Sequence, residues 1–587
     1  MGKLLVLERI HDIAVREPGR PALRADGRSI DYGELVETAT NLGDLLHAHG
    51  VGPEDVVATV LPRGGNAIIA ILGIWMSGAA YLPTDAKWAE RRLDLVLAES
   101  ATYVLEESVE GDAEVVMPGE TGLRLRRLES GRSRSQDPSS GARNLAYVLY
   151  TSGSTGTPNA VGVEFGAIDN YGSYLHDLVK QSAVHTDGDM SVLLSANLCF
   201  DASLRTVLLL AVGATLIVAP DLKDGSWQEQ IDCILDNGVT VLSGVPSWYS
   251  GLLGAGYQSR DSSVQLAFVG GEPVPNGVVR ELTTDGCTVV VQYGPTETAI
   301  AATGGVLTGD DFTEPPIGEA IPGARIHLYQ NDNPARATEG EPGYLYVGSA
   351  GVARGYLHNP RLTAERFVPN PAGPPGSRMF RTGDLARMPP GDGYSFLARQ
   401  DDQVNIGGRR IELGEVSSAL NRHPAIAQSI VFVHRSGAHP RLVACYVWNS
   451  GSEEPGVDES IRDYLAGELP EYLVPAVIRR VKCLPVTDHG KVDVAALVEF
   501  VGVGDTEAQT DDIALDDVEQ RLIAIVRETL GVPCTLDDNF FALGGGSLDA
   551  LDVLARVRED FGVRVRLREF FQTRTIRELR NLIGDAG

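Results

Sequence analysis

Apolar and polar residues alternate in blocks that predict helices and strands in turn along the first part of the chain. A helix is predicted over residues 4–16, and a second after Asp31, where apolar residues recur at helical spacing: Leu35, Ala39, Leu42 and Leu46. A buried strand, DVVATVLPRG, a helix over 66–76 and a tight segment over 78–85 follow. Strands that alternate with helices indicate a layered α/β fold with a partly parallel sheet. The polar, Arg-rich segment 119–143 is expected to be a surface excursion.

The segment 145–161, LAYVLYTSGSTGTPNAV, predicts a strand that leads into a loop of small residues. The hydroxyl and backbone N–H groups of such a loop can approach phosphate oxygens closely. No Lys follows the glycines, so the loop is not of the Walker type. A flexible Ser/Gly linker is the alternative, which the apolar flanks and Pro158 disfavour.

Two later segments place chemically active side chains beside apolar runs. Asp201 interrupts one run, and Tyr293, Thr296 and Glu297 follow another. A carboxylate buried at position 201 would need a cationic partner, because burial of an unpaired charge is costly; the alternative is a helix N-cap. The aromatic face, hydroxyl and carboxylate of the second segment can serve an adenine, a phosphate and a Mg²⁺ ion respectively.

Composition narrows the classes of partner. The 587 residues are 43% hydrophobic and 22% charged, which is ordinary for a globular protein of several domains. The net charge of −29 disfavours nucleic acid and anionic membranes, so small molecules and proteins are the expected partners. The six cysteines lack paired metal-ligand spacing, so reduced thiols and a cytoplasmic location are expected. We find neither a signal-peptide pattern nor an apolar stretch of roughly 18 residues that could span a membrane.

Short motifs run in order from Tyr32 to Lys491: IDYGEL, GAAYLPTD, LAYVLYTSGSTGTP, FDAS, YGPTE, YVGSAGVARGYL, FRTGDL, QDDQVNIGGRRIELGEV, LPEYLVP and HGKVD. Together they resemble the amino-acid-activating adenylation domains of nonribosomal peptide synthetases, within the acyl-adenylate-forming superfamily. The small, polar segment 501–513 predicts a linker. After it, DDNFFALGGGSLDAL and apolar helix faces resemble a peptidyl carrier protein domain.

The resemblance implies a large α/β adenylation core over 1–400, a small α+β C-terminal subdomain over 401–500 and an all-α, four-helix-type carrier domain over 514–587. It implies two half-reactions: an amino acid and ATP give aminoacyl-AMP and pyrophosphate, and a thiol then displaces AMP to form a thioester. The implied cofactors are ATP, Mg²⁺ and a covalent 4′-phosphopantetheine. We expect a free-standing loading didomain that charges its own carrier in a nonribosomal peptide or related natural-product pathway.

The resemblance also assigns residue roles. Lys491 would bridge the reacting oxygens, Thr296 would bind the α-phosphate, and Glu297 would hold the Mg²⁺. The remaining ATP and AMP contacts fall on Thr151, Ser152, Gly153, Ser154, Thr155, Gly271, Tyr293, Asp384 and Arg399. Asp401 would be the hinge about which the small subdomain rotates between half-reactions, and Ser547 would carry the phosphopantetheine. The alternatives are a solvated surface Lys, a turn Asp in the TGD motif and a helix N-cap Ser.

The amino-acid pocket maps by the same resemblance to Asp201, Ala202, Arg205, Ser243, Phe268, Gly270, Gln292, Ile300, Ala301 and Lys491. Asp201 and Lys491 would serve the α-amino and α-carboxyl groups. Arg205 follows Asp201 by one helical turn, and a guanidinium in a walled pocket needs an anionic or strongly accepting partner. We therefore expect an acidic side chain on the substrate first, and an amide second. An Arg205 that turned outward, or paired with a protein carboxylate, would leave a pocket for a neutral side chain.

Three cations of the resembled family are missing, because Asn159, Asn405 and Gly407 stand in their places. These losses should weaken pyrophosphate capture and the docking of the small subdomain. An acyl- or aryl-coenzyme A ligase, and a degenerate scaffold whose carrier is loaded by another protein, are the alternative functions. The expected protein partners are a phosphopantetheinyl transferase, downstream condensation or tailoring enzymes, and an MbtH-like activator.

Overall fold

A computed structural model of the chain describes most of its residues, and the structural statements below concern these alone. The described residues are 4–85, 88, 90–107, 122–128, 141–151, 158–182, 190–222, 227–284, 286–307, 312, 315–330, 337–389, 393–399, 403–406, 409–434, 440–448, 457–482, 484–485, 492, 494–502, 517–530, 534–540, 543, 545, 547–563, 565, 569–570 and 575–584.

The strands follow one another along the chain as β1 (Pro21–Ala25), β2 (Arg28–Asp31), β3 (Val56–Val60), β4 (Ala80–Thr84), β5 (Tyr103–Glu107), β6 (Leu123–Arg127), β7 (Leu145–Thr151), β8 (Asn159–Glu164), β9 (Ser191–Leu194), β10 (Thr215–Val218), β11 (Val241–Gly244), β12 (Leu266–Gly270), β13 (Thr288–Tyr293), β14 (Thr303–Val306), β15 (Pro316–Ala320), β16 (Ala324–Tyr329), β17 (Gly343–Ser349), β18 (Gly355–Tyr356), β19 (Phe367–Pro369), β20 (Arg378–Arg387), β21 (Tyr394–Arg399), β22 (Gln403–Ile406), β23 (Arg409–Glu412), β24 (Ile426–His434), β25 (Arg441–Trp448) and β26 (Val477–Val481).

The α-helices are α1 (Leu5–Arg16), α2 (Tyr32–Ala48), α3 (Gly65–Met76), α4 (Glu90–Ser100), α5 (Phe165–Gln181), α6 (Ala202–Leu208), α7 (Trp227–Asp236), α8 (Pro246–Gly254), α9 (Asn276–Thr283), α10 (Pro360–Arg366), α11 (Leu413–Asn421), α12 (Val457–Glu468), α13 (Val494–Gly502), α14 (Asp517–Leu530), α15 (Ser547–Phe561) and α16 (Ile576–Gly584).

Two large sheets and two small ones contain these strands. The largest has the order β16-β17-β20-β21-β15-β14-β13-β12-β11-β9-β10-β1-β2, with β19 beside β20. Within it, β1, β10, β9, β11, β12 and β13 run parallel. The second has the order β18-β8-β7-β4-β3-β5-β6, with β7, β4, β3 and β5 parallel. The predicted α/β core with a partly parallel sheet is therefore confirmed.

Helices α1, α2 and α3 cover the core as the apolar spacing predicts. Asp31 caps α2 by accepting a hydrogen bond from the backbone N–H of Glu34 at 2.8 Å. The hydroxyl of Tyr32, at the first position of this helix, donates to the buried carbonyls of Leu210 and Ala214 at 2.8 Å. The periodicity of this region thus predicts both the helix and its buried face.

The C-terminal part of the chain forms two further units. The hairpin β22–β23 and the sheet β24-β25-β26 belong to the small subdomain, with α11, α12 and α13. Helices α14, α15 and α16 share a separate apolar core, in which Phe540 and Phe570 meet edge to face at 4.9 Å between ring centroids. The α+β subdomain and the helical carrier match the predicted architecture.

Two local expectations are wrong. The segment predicted to be tight before position 85 contains β4, an inner strand of the second sheet. Within the segment 119–143, expected to be a surface excursion, residues 123–127 form β6, where Leu123 and Leu125 are buried and Arg124 and Arg126 are more exposed. The alternation of apolar and polar residues in this short strand is hard to recognise, because three of its five residues are arginines. Residues 119–121 and 129–140 lie outside the described residues. Within the described segments, every helix is too short or too polar to cross a membrane.

Candidate active site

Helix α6 brings an acidic and a basic side chain to one pocket. Asp201 immediately precedes the helix, and Arg205 follows one turn later with only 5% of its surface exposed. Although Asp201 stands at the capping position, its side chain makes no capping hydrogen bond. A role as a helix cap therefore does not account for this carboxylate.

The Arg205 guanidinium is held by neutral groups. Its Nε donates to the hydroxyl of Tyr171 at 3.1 Å, and its Nη1 donates to the hydroxyl of Ser243 at 3.2 Å. The guanidinium carbon lies 5.7 Å from the centroid of the Phe268 ring. Among the described residues, no carboxylate oxygen lies within the 4.0 Å of an ion pair. Arg205 thus points inward. No carboxylate of the described residues pairs with its positive charge.

Several buried polar atoms around Arg205 lack a hydrogen-bond partner among the described residues. They are Oδ2 of Asp201, Nε2 of Gln292 and the hydroxyl of Tyr147. The other end of the Gln292 amide is fixed, because its Oε1 accepts a hydrogen bond from Tyr171 at 2.9 Å. Each buried and unsatisfied polar atom costs about 1–3 kcal/mol. The pocket therefore contains both donors and an acceptor that a polar ligand would satisfy.

Burial raises the pKa of the Asp201 carboxyl to about 6, although the Arg205 cation acts in the opposite direction. Burial disfavours the charged form of a carboxyl group, and an ammonium that binds beside it restores that form. The ionised state of Asp201 is thus linked to the arrival of a cationic ligand.

The floor of the pocket lies where parallel strands β11, β12 and β13 end at one edge of the large sheet, the usual position for a ligand in such sheets. Ser243 pairs with Phe268, and Gly270 pairs with Gln292, in adjacent strands. A Cβ atom at position 270 would lie 2.2 Å from the Gln292 carbonyl oxygen, so only glycine fits there. Gly271 follows directly, and Ala202 begins α6.

A short 3₁₀ turn after β13 carries the predicted magnesium ligand. Glu297 in this turn is fully buried, and its Oε1 accepts a hydrogen bond from the hydroxyl of Tyr356 at 2.7 Å. Beyond it, Ala299 and Ile300 have φ of 56° and 72°, and the N–H of Ala301 donates to the Ala299 carbonyl at 2.9 Å. A β-branched residue in this conformation is strained, and such strain concentrates at binding sites. The turn fixes both Glu297 and the pocket residues that follow it.

The predicted nucleoside ligands also lie together. Asp384 is 2% exposed and accepts hydrogen bonds from Nη1 of Arg399, at 2.6 Å, and from the hydroxyl of Tyr293. Burial and then the Asp384 charge raise the pKa of Tyr293 well above its ordinary value, so its hydroxyl remains a donor. Gly383, with φ of 82°, turns the chain immediately before the carboxylate. Tyrosine, aspartate and arginine are thus in direct contact.

The phosphate loop is described only at its ends. Thr151 ends β7 and is paired with Asn159, the first residue of β8, so a neutral amide stands at the base of the loop. Other predicted positions lie outside the described residues: Ser152, Gly153, Ser154, Thr155, Asp401, Gly407 and Lys491. The backbones of Asn405, in β22, and Ser547, at the start of α15, are described, but their side chains are not. The roles assigned to all these residues stay predictions.

The small subdomain contacts the core through cations on both sides. Nη1 of Arg92 in α4 lies 2.9 Å from Oε1 of Glu415 in α11, and these side chains are 5% and 1% exposed. Within the small subdomain, the guanidinium of Arg409 in β23 stacks 4.6 Å from the centroid of the Tyr472 ring. Burial lowers the pKa of Arg409, and the negative charge of Asp85 in the core acts in the opposite direction. Cations therefore remain at this interface despite the changes at positions 405 and 407.

Family models match the chain in the order of its domains. The model for AMP-binding enzymes matches residues 10–357, more than half of the chain. The chain belongs to the AMP-binding enzyme family. The model for the C-terminal domain of AMP-binding enzymes matches 415–491, and the model for a phosphopantetheine attachment site matches 520–583.

Individual relatives of this AMP-binding enzyme cover nearly all of it. A dimodular nonribosomal peptide synthase of Bacillus subtilis is 33% identical, with 96% of this chain and 24% of that protein covered. Phosphinothricin tripeptide synthetase PhsC of Streptomyces viridochromogenes is 34% identical, with 97% and 52% covered. The chain thus spans about half or less of the length of these relatives. The structure of holo-PA1221, an NRPS protein containing adenylation and PCP domains, matches with a TM-score of 0.79 and 25% identity over 99% of this chain and 97% of that one.

These matches confirm the predicted class, a nonribosomal peptide synthetase adenylation domain followed by a carrier domain. They also confirm an ATP-dependent ligase that forms an adenylate and then a thioester, with ATP, Mg²⁺ and covalent phosphopantetheine as cofactors. The donor chemistry fits these groups, because the buried carboxylate of Glu297 is a hard oxygen ligand of the kind that Mg²⁺ prefers. The attachment-site match includes Ser547.

Two tyrosines of the site were missed by the sequence reasoning. Tyr171 lies on α5, where its position in the apolar face is the same as that of an ordinary core residue. Tyr356 lies within the ARGYL motif, but nothing local indicates that its hydroxyl reaches Glu297. Only the tertiary fold brings either side chain to its partner.

Proposed function

We propose that this protein activates an amino acid with an acidic side chain, and an amide less well, and transfers it to the phosphopantetheine thiol on its own Ser547. The observation that carries the substrate class is the buried Arg205 guanidinium, which contacts two neutral hydroxyls and no carboxylate of the described residues. A charge-assisted pair with a substrate carboxylate is about twice as strong as a neutral hydrogen bond, and it would satisfy this cation.

The rest of the pocket supports the same choice. The substrate ammonium would bind Asp201, whose Oδ2 has no partner among the described residues. Nε2 of Gln292 would give a second donor to the side-chain carboxylate or amide. A carboxylate can accept from both donors, whereas an aliphatic side chain would leave two buried polar groups unsatisfied, at about 1–3 kcal/mol each.

The nucleotide would lie beside this pocket. Tyr293 would stack on adenine, Asp384 and Arg399 would bind the ribose hydroxyls, and Thr296 would orient the α-phosphate. Bound Mg²⁺ would offset negative charge on the pyrophosphate, with Glu297 as its protein ligand. Lys491 would enter from the small subdomain and stabilise the charge where carboxylate and phosphate oxygens meet. These roles rest on the motif resemblance and on the contacts among the described members.

Loading of the chain's own carrier is supported by the packing of α15, the carrier helix that begins at Ser547, against α8 of the core. The carrier implies a phosphopantetheinyl transferase as partner. Downstream condensation or tailoring enzymes, an MbtH-like activator and a cytoplasmic location remain parts of the proposal. A coenzyme A ligase would release its thioester, and a degenerate scaffold would form no adenylate. Intact mass of the holo-protein after incubation with ATP distinguishes a coenzyme A ligase from an enzyme that loads its own carrier. Pyrophosphate exchange distinguishes a degenerate scaffold from both.

Pyrophosphate exchange with a panel of amino acids tests the substrate class, and Arg205→Ala tests the residue. We expect aspartate or glutamate to give the highest kcat/KM, with their amides next. Loss of a charged hydrogen bond, about 1.5–3 kcal/mol, should lower kcat/KM for the best acidic substrate by about 10-fold to 150-fold.

The matched control is Arg24→Ala, because Arg24 is an exposed arginine whose described contact is Asn237. It should leave kcat/KM unchanged. A panel in which aliphatic or aromatic amino acids win outright would contradict the substrate class and leave the enzyme class intact.

A further inference from the structure

A cation of the small subdomain reaches into the carrier domain. Arg441 begins β25 and is only 6% exposed. Its Nη2 donates a hydrogen bond to the main-chain carbonyl of Leu530, the last residue of α14. The last carbonyls of a helix lack partners within the helix, and a positive charge stabilises this negative end. Arg441 therefore caps a helix that belongs to a different domain.

The same guanidinium also interacts electrostatically with the next carrier helix. Asp549 lies in the first turn of α15, two residues after Ser547, and is 5% exposed. Burial lowers the pKa of Arg441, and the negative charge of Asp549 opposes this change. His434 is paired with Arg441 in the adjacent strand, and burial together with Arg441 lowers its pKa, so a neutral imidazole borders the contact.

The carrier is thus held at one end from two sides. Arg441 of the small subdomain binds the carboxyl end of α14, while α8 of the core packs against α15. This end of the carrier is also the end where the attachment serine begins its helix. A contact of this kind would position the pantetheine arm relative to the core.

We propose that Arg441 is the residue by which the adenylation domain recognises its carrier in the thioester-forming half-reaction, by binding the carboxyl end of α14. The carbonyl that accepts its hydrogen bond, that of Leu530, belongs to the carrier. Adenylate formation precedes the arrival of the thiol and does not use this contact. Arg441 is therefore a positioning residue that acts on the second half-reaction alone.

The test uses the full-length holo-protein with Arg441→Ala, and measures two quantities. Pyrophosphate exchange reports adenylate formation, and single-turnover intact mass reports loading of Ser547. We expect exchange within twofold of the parent protein and loading slowed by about tenfold to a hundredfold, the range for a lost charged hydrogen bond. The control is Arg480→Ala, an arginine of the neighbouring strand β26 that stacks on Trp448, and it should leave both quantities unchanged.

Loading within twofold of the parent protein would overturn the proposal, as would an equal fall in exchange and loading. If thermal unfolding shows that Arg441→Ala does not fold, Asp549→Asn tests the electrostatic attraction from the carrier side, with phosphopantetheine occupancy matched by intact mass. This variant should slow loading by about threefold to tenfold without altering exchange. Unchanged loading would again overturn the proposal.

Discussion

The pocket contains buried polar groups that a bound ligand would satisfy and that destabilise the protein without one. Asp201 has a buried oxygen with no partner among the described residues, and Arg205 has only neutral hydrogen-bond partners there. The sequence indicated both residues, Asp201 because it interrupts an apolar run and Arg205 because the family resemblance places it in the pocket one turn later. It could not indicate Tyr171, which holds Arg205 and Gln292 in place from a helix distant in the chain.

This arrangement predicts that Asp201→Asn stabilises the substrate-free protein above pH 6. Burial raises the pKa of the carboxyl from 3.8 to about 6, so between these values the folded state binds more protons than the unfolded state. Stability contributed by this group therefore falls as pH rises through that window. We expect the Tm of Asp201→Asn to exceed that of the parent by about 1–3 °C at pH 8 and to equal it near pH 4.

Thermal unfolding of the two proteins at both pH values, without amino acid, checks the prediction. The variant should also lose pyrophosphate exchange, because the substrate ammonium loses its carboxylate. A lower Tm for the variant at pH 8 would show that the carboxylate is stabilised by the protein itself.

At the scale of elements, periodicity predicts most helices and inner strands, and it fails where burial and charge conflict. The helix after Asp31 could be predicted because its cap and apolar face agree. The strand β6 could not, since arginines fill its outward positions. The strained turn at Ala299 and Ile300 was also beyond sequence reasoning, because no glycine marks its left-handed residues. Tertiary packing overrides local preference at that turn.

The buried ion pair between α4 and α11 predicts a selective effect of Glu415→Gln. Removal of one partner of a buried pair leaves the Arg92 charge uncompensated and costs about 3–5 kcal/mol. The docked position of the small subdomain, with the carrier against the core, should lose stability relative to its other positions. We expect loading of Ser547 to slow by at least about tenfold while pyrophosphate exchange is unchanged or faster.

Glu468→Gln is the control, since both ion-pair partners of Glu468 are exposed arginines, Arg91 at 71% and Arg422 at 47%. Exposed pairs contribute about 0–1 kcal/mol, so its effect on loading should be small. Equal effects of the two variants, measured by the same two assays, would contradict the assignment of the α4–α11 pair to the docked position.

At the scale of the whole molecule, the order of domains follows from motifs and composition, and the family matches confirm it. The contacts between the domains do not follow from sequence. Nothing in the local sequence of Arg441 or Arg92 indicates that either residue reaches another domain. The predicted rotation about Asp401 would break one set of such contacts and form another, and these few side chains would then govern which half-reaction the molecule can perform.

Mass spectrometry of the loaded carrier identifies the amino acid that the protein selects. The holo-protein is incubated with ATP, Mg²⁺ and an equimolar mixture of the standard amino acids, and the peptide that contains Ser547 is analysed by mass spectrometry. We expect an aspartyl or glutamyl group on the phosphopantetheine arm, and no aminoacyl group on the corresponding peptide of Ser547→Ala. An aliphatic or aromatic aminoacyl group on the arm, or an arm that stays empty, would contradict it.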